Sequence, residues 1–303
     1  MDVRALEYFV AVAEELNVTR AAARAHAAQS TVSASLRSLE RELGATLLER
    51  TTRSIRLTAA GERVLPAARA AVAAVEEARD LARDETAGLR GRVRLGTFSS
   101  LDLIDLPTAL AGFRAQHPAV ELILTVAASG SSGLQDDLLR GRLDLALFSP
   151  PADPGLRTHR LLGLPFRAFL PSGHRLASRR RLRLADLADE DWIDTPLGFG
   201  NRTLLDEQLR RAGITRRIVV ESGDLPSAIA FVRAGLGVGV LPATGAVGGC
   251  VQVPVVDGPP DWELHLAVRR TPSPGAAARA LLATLRAHAA SQPRPSVARG
   301  EDA

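Results

Sequence analysis

The side chains best suited to moving protons or holding metals in this sequence are six histidines, at positions 26, 117, 159, 174, 265 and 288, and one cysteine, Cys250. No two of the histidines stand three to five residues apart, the spacing that would put two metal ligands on one turn or helix face. A lone cysteine excludes an intrachain disulfide and a cysteine zinc cage, and it fits a reducing, intracellular compartment. All 38 basic residues are arginine, and there is no lysine. That absence excludes Schiff-base enzymology and a phosphate-loop lysine. No Gly-x-Ser-x-Gly elbow occurs. Gly235-x-Gly237 misses the dinucleotide fingerprint because Val240 stands where the third glycine belongs. An enzyme is therefore not expected, nor a cofactor or metal. What remains is recognition: guanidinium forks for phosphate and carboxylate, and amide and hydroxyl groups for base edges or a small ligand.

The formal net charge of +4 is by itself weak evidence for a nucleic-acid partner, since genomic base composition also writes chains rich in arginine, alanine, glycine and proline. Placement says more. Between positions 20 and 56 stand seven arginines (20, 24, 37, 41, 50, 53 and 56) against three acids (Glu40, Glu42 and Glu49), a local excess of four. Elsewhere two hydroxyl-rich turns, Thr97-Phe98-Ser99-Ser100 and Ser129-Gly130-Ser131-Ser132, each follow a strand pattern and precede a helix pattern. A third turn, residues 195–202, carries Thr195, Phe199 and Arg202 ahead of another helix. Open α/β sheets bind ligands at such helix N-termini, where free backbone N–H groups attract anions. Thr97, Ser99, Ser100, Ser129, Ser131, Thr195, Phe199 and Arg202 are thus candidates to hold a small organic anion, with Phe98, Phe148 and Phe199 as its apolar wall. Serines in these turns can also serve as helix caps alone.

Three segments must position these residues. Leu6, Phe9, Val10 and Ala13 recur at helical spacing, Ala21, Ala22 and Ala25 mark a second helix, and Val32, Leu36, Leu39 and Leu43 stripe a third that stops at Gly44. Small alanines let two of these axes cross closely, and residues 50–57 read as a hairpin or wing. Thr58 then caps a long helix to about position 85, with Val64, Ala68, Ala71, Val75, Ala78 and Ala82 spaced alternately four and three apart. That seam predicts pairing with a second copy, and Pro66 predicts a loosened or kinked start. From Gly91 on, strand and helix patterns alternate, which predicts an α/β fold with mostly parallel sheets. The boundaries expected are 1–58 for the first domain, 59–90 for the linker helix and 91–291 for the α/β part, followed by a disordered tail, 292–303. The α/β part divides into one lobe of about 91–162 with 266–291 and another of about 163–265. Charged residues in the first helix, Asp2, Arg4 and Glu7 among them, argue against a signal peptide and for a cytoplasmic chain. Residues 234–256 lack charge but hold six glycines and two prolines, so they read as buried strand and turn and not as a membrane span.

The runs Thr19-Arg20-Ala21-Ala22-Ala23-Arg24-Ala25, Gln29-Ser30-Thr31-Val32-Ser33, Leu39-Glu40-Arg41-Glu42-Leu43-Gly44 and Leu57-Thr58-Ala59-Ala60-Gly61 resemble the winged helix-turn-helix of LysR-type transcriptional regulators. Gly141-Arg142-Leu143-Asp144-Leu145-Ala146, Gly173-His174-Arg175-Leu176 and Ala234-Gly235-Leu236-Gly237 resemble that family's effector-binding domain. The resemblance implies a two-lobed α/β effector domain similar to type 2 periplasmic binding proteins. It also implies a homodimer or homotetramer on an interrupted palindrome of double-stranded DNA, contact with RNA polymerase, and an effector held between the lobes. Its DNA-binding positions fall on Thr19, Arg20, Gln29, Ser30, Thr31, Ser33, Arg37 and, on the wing, Arg53.

Departures from the family pattern include Ala28 for a usual serine and Ala34 for a frequent arginine, which shifts readout toward Gln29, Ser33 and Arg37. Glutamine pairs with adenine edges and arginine with guanine, each good contact contributing about 1 to 3 kcal/mol of discrimination, so two subunits are needed for selectivity. The competing reading is a cytoplasmic two-lobed solute-binding protein, against which the helical N-terminal segment counts.

Overall fold

The computed structural model describes residues 1–50, 55–81, 88–98, 102–243, 245, 248–271 and 273–292. The chain opens with α1 (Val3–Glu15), α2 (Val18–Arg24) and α3 (Gln29–Leu43). Asp2 caps α1 by accepting from the Arg4 amide, and Asn17 caps α2 by accepting from the Arg20 amide. Ala28 at the head of α3 has no side-chain oxygen to offer. Phe9, Val12, Ala21, Val32, Leu36 and Leu39 close the core of this head. A small hairpin follows, β1 (Leu48–Arg50) antiparallel to β2 (Ile55–Leu57). Glu40 ties it to α3, its Oε1 accepting from the Leu47 and Leu48 amides at 2.8 and 3.1 Å.

The long helix α4 (Ala59–Leu81) starts at Thr58, whose hydroxyl accepts from the Gly61 amide at 2.9 Å. It is helical throughout despite Pro66, so the expected loosening does not interrupt it. Leu65 and Ala68 are buried against the head, and Val64, Ala71 and Val72 pack beside them. The first half of the seam expected to await a second copy is therefore covered by this chain's own α1. Val75 and Ala78 carry the stripe onward, half-buried and exposed.

The α/β part runs β3 (Gly91–Thr97), α5 (Leu106–Gln116), β4 (Val120–Val126), α6 (Gly130–Leu139), β5 (Leu145–Phe148) and β6 (Leu156–Leu164). It continues through β7 (Phe166–Pro171), β8 (Asp191–Asp194), α7 (Gly200–Ala212), β9 (Arg217–Glu221), α8 (Leu225–Arg233), β10 (Gly239–Pro242) and β11 (Cys250–Pro254). It returns as β12 (Trp262–Arg269) and α9 (Ala276–Ser291). Lobe I is a five-stranded sheet in the order β4-β3-β5-β12-β6, and lobe II holds β10-β7-β11 and the pair β8-β9. The expectation of mostly parallel sheets is corrected. Among the described strands of the α/β part, β3–β4, β3–β5 and β8–β9 pair in parallel and the other four pairs are antiparallel, because β12 re-enters lobe I against the direction of β5 and β6 and β7 runs against both its neighbours. The chain crosses between lobes after Leu164 and again before Trp262. One core, with Leu95, Phe113, Trp192 and Leu281 fully buried, continues through both.

Candidate functional sites

The first site is the exposed start of α3. Gln29, Ser30, Thr31 and Arg37 are exposed, Ser33 is half-buried, and Ala34 is exposed where a longer side chain would reach out. The inward stripe of Val32, Leu36 and Leu39 sets this orientation, turning Gln29, Ser30, Thr31, Ala34 and Arg37 toward solvent. Thr19, at the start of α2, donates to Gln29 Oε1 at 3.4 Å. Because no side chain caps Ala28, the first amides of α3 are available to an incoming phosphate. The Arg37 guanidinium has no hydrogen-bond or ion-pair partner among the described residues, so its fork is free. Arg20 is folded back, its Nη2 donating to the Glu15 carbonyl at 2.6 Å. Arg24 does not belong to this surface: it pairs with Glu14 at 2.7 Å and Glu15 at 3.4 Å on the other side of the head. Arg56 is exposed on the wing opposite Glu49. Arg53 lies outside the described residues.

The second site is the cleft between the lobes. It is lined by Phe98, Gly130, Ser131, Thr195, Phe199, Asn201, Asp224 and Trp262, with neighbouring glycines and Leu225, and encloses only about 30 Å³. Ser131 Oγ accepts from the Ser149 amide at 3.1 Å, and Thr195 Oγ1 accepts from Asn201 Nδ2 at 2.9 Å. Backbone closes the cleft: the Ser132 amide of lobe I donates to the Gly198 carbonyl of lobe II at 3.2 Å. Gly198, with φ of +94°, has no room for a side chain, since a Cβ would stand 2.6 Å from Ser132 Oγ. Gly130 likewise lies under the Phe199 ring. Three helix N-termini, of α6, α7 and α8, converge here, and those of α6 and α7 have no side-chain cap. Asp224 caps α8, accepting from the Ser227 amide at 2.7 Å. The Ser149 hydroxyl, packed beside Gly200, is buried with no partner among the described residues.

Of the residues expected at this ligand, Ser131, Thr195 and Phe199 line the cleft. Ser129 sits exposed at its rim, its carbonyl accepting from the Ser132 hydroxyl. Ser99 and Ser100 lie outside the described residues. Thr97 is buried and its hydroxyl donates to the Phe98 carbonyl, so it faces away. Phe148 packs behind the cleft against Leu134, Leu138 and Leu156. Arg202 is not among the lining residues and is engaged by its own chain. Its Nη1 donates to the Thr195 carbonyl at 2.8 Å and to Glu221 at 3.1 Å, and its Nε pairs with Asp206 at 2.9 Å. Beside it Arg216 binds Asp194 and Asp206 and lies over the Trp192 ring. Sequence reasoning passed over Asn201, which shares a helix with Arg202, and Trp262, which arrives from the second crossover with its ring edge-on to Phe98 at 5.8 Å. Among the described residues no helix is long and apolar enough to cross a membrane.

Residues 3–62 match the family described as "Bacterial regulatory helix-turn-helix protein, lysR family", and residues 86–290 match the "LysR substrate binding domain". The chain is 38% identical over 245 residues to the HTH-type transcriptional regulator ShiR of Corynebacterium glutamicum (strain R), covering 79% of this chain and 82% of that one. A full-length OxyR variant from Pseudomonas aeruginosa has the same fold, with a TM-score of 0.79 at 24% identity over 100% of this chain and 99% of its own. Full-length CbnR, solved in complex with its target DNA, is 25% identical with a TM-score of 0.58, over 96% of this chain and 99% of that one.

Proposed function

This chain belongs to the LysR family of DNA-binding transcriptional regulators, and on that premise we propose that α3 reads an operator while the cleft between the lobes reports a small anionic effector. The observation that carries the first half is the start of α3: exposed Gln29, Ser30 and Thr31, uncapped amides and the unpartnered fork of Arg37. Gln29 and Arg37 contact base edges or phosphate, Ser33 lies alongside, and Thr19 and Arg20 approach the flanking backbone. Arg53 on the wing takes a phosphate or minor-groove contact.

The effector half rests on the two uncapped helix N-termini and the unpartnered Ser149 hydroxyl. Among the described residues no cationic side chain lines the cleft, so an anion here is held by helix amides and by Ser131, Thr195 and Asn201. Phe199 and Trp262 cover its apolar part. Effector replaces the Gly198 carbonyl at the α6 amides, the lobes change their mutual angle, and the spacing of paired heads on DNA changes with them.

The organisation that follows is a head of 1–58, a linker of 59–90 and an effector domain of 91–291, assembled as a homodimer or homotetramer in the cytoplasm, contacting RNA polymerase and catalysing nothing. Mobility shift with the chain's own upstream region tests the reading. Wild type is expected to shift it, and Arg37→Ala to flatten the dependence of log K on log salt by about one unit. No shift at low salt overturns the DNA reading, and an unchanged slope removes Arg37 from the phosphate contacts.

A further inference from the structure

Where the head, α4 and lobe I meet, a second cavity of about 580 Å³ opens, and it shares no residue with the lining of the cleft. The two lie at opposite ends of one strand: Gly91, Arg92 and Arg94 at the start of β3 face this cavity, and Phe98 just past its end faces the cleft.

Seven arginines line the cavity against three acids, Glu7, Glu121 and Asp144, an excess of four (7 − 3). Their partners account for most of the guanidiniums and not for all. Arg92 pairs with Glu121 at 2.9 Å, and Arg4 Nε approaches the Tyr8 hydroxyl at 3.4 Å. Arg24, Arg69 and Arg94 converge on one carboxylate, Glu14, at 2.7, 3.2 and 3.0 Å. Glu14, and Glu15 at 3.4 Å from Arg24, add two negative charges, so an excess of two remains. Asp144 accepts from the Arg94 amide at 2.8 Å, a bond to backbone and not to a cation. The guanidiniums of Arg90 and Arg269 have no hydrogen-bond or ion-pair partner among the described residues. Arg269 is half-buried, its Nη1 lying over Gly141. Burial pushes its guanidinium below the ordinary range, Asp144 opposes this and Arg94 reinforces it.

Unneutralised charge of one sign in a concave, partly desolvated space is a site for the opposite charge, since burial weakens the screening that water gives at a surface. We propose that this junction is a second ligand site, taking a small multiply charged oxyanion between Arg90, Arg269 and the Glu14-bound arginines. The volume lies within the usual range of about 300 to 1,000 Å³ for ligand pockets and exceeds what one phosphate fills. Among the described residues Tyr8 is its only aromatic lining residue, so these walls offer no stacking platform for a nucleobase. The class that fits is a phosphate ester of a small polar molecule or a polycarboxylate. Bound there, it ties the head to lobe I, since Arg4 and Arg24 belong to the head, Arg69 to α4, and Arg90, Arg94 and Arg269 to lobe I or its approach.

The test is thermal unfolding of the full chain in sodium phosphate and, separately, in citrate, each against sodium chloride at equal ionic strength. Wild type is expected to gain about 2 to 4 °C in one of the two anions, which also assigns the class. Arg269→Gln and Arg90→Gln are each expected to lose most of that gain. Arg90 is exposed, so its variant folds even if Arg269→Gln does not. No gain in either anion overturns the proposal, and so does an undiminished gain in Arg90→Gln, which would place the anion elsewhere, on the DNA face for example.

Discussion

The two gaps in this chain are built on opposite plans. The cleft between the lobes is nearly filled, at about 30 Å³, and is shut by backbone on backbone, with Gly198 and Gly130 as the points of closest approach. The junction between head and lobe I stays open at about 580 Å³ and is held by charge, with Glu14 at the centre of three arginines. Contacts of the first kind vanish within an ångström, so that gap is either shut or released. Contacts of the second kind act over several ångströms and respond to salt and protons, so that gap is adjustable.

The strongest way to break the contrast is Glu14→Gln, which leaves Arg24, Arg69 and Arg94 repelling one another. It is expected to cost about 3 kcal/mol, seen as a lower unfolding midpoint and faster amide exchange in α1. Effector affinity should not change, and a parallel loss there would show that the two gaps are one system. Gly198→Ala attacks the other plan. A Cβ there is strained by the positive φ and meets Ser132 Oγ, so it should part the lobes at a cost of about 2 kcal/mol, visible as a larger radius of gyration, with head docking intact.

Ala28→Ser supplies the missing cap of α3 and is expected to add about 1 kcal/mol to the head without moving either gap. Serine there also competes for the amides offered to DNA phosphate, so affinity in mobility shift should fall slightly. The smallest effect is acid. Burial pushes the Glu14 carboxyl up, but Arg94, Arg24 and Arg69 outweigh it and hold it below its ordinary value of 4.5. A carboxyl depressed by folding contributes stability that is complete above its unfolded value and is lost as pH falls through the folded one. Head exchange rates should therefore be flat from pH 7 to 5 and rise below about 4.5, while the cleft stays shut.

Most helices were legible because each stripe has a stop or cap beside it: Leu36 and Leu39 before Gly44, Val64 and Ala68 after Thr58. The strand β6 was not, because Arg157, His159 and Arg160 interrupt its apolar residues and the register with β12 shifts between Leu264 and His265, so no single alternation runs through it. The mixed sheets escaped notice for a different reason. Local alternation of strand and helix says nothing about the strand that returns from far along the chain, here β12. In the cleft, residue type could find Ser131 and Thr195 but could not tell Arg202 from a ligand cation, although Asp206 one turn later on α7 was a sign of its true partner. Trp262 had no local signal at all, since what brings it to Phe98 is the second crossover.

That crossover has a spectroscopic consequence. The chain has two tryptophans. Trp192 is fully enclosed within lobe II under the Arg216 guanidinium, donating its indole N–H to the Leu187 carbonyl at 2.9 Å, and has no reason to change surroundings when the lobes move. Trp262 stands at the point where the chain passes from one lobe to the other and touches the space that a ligand would enter. The protein thus carries one indole as a constant background and one as a reporter, so its own emission spectrum, without any attached dye, reads the angle between the lobes.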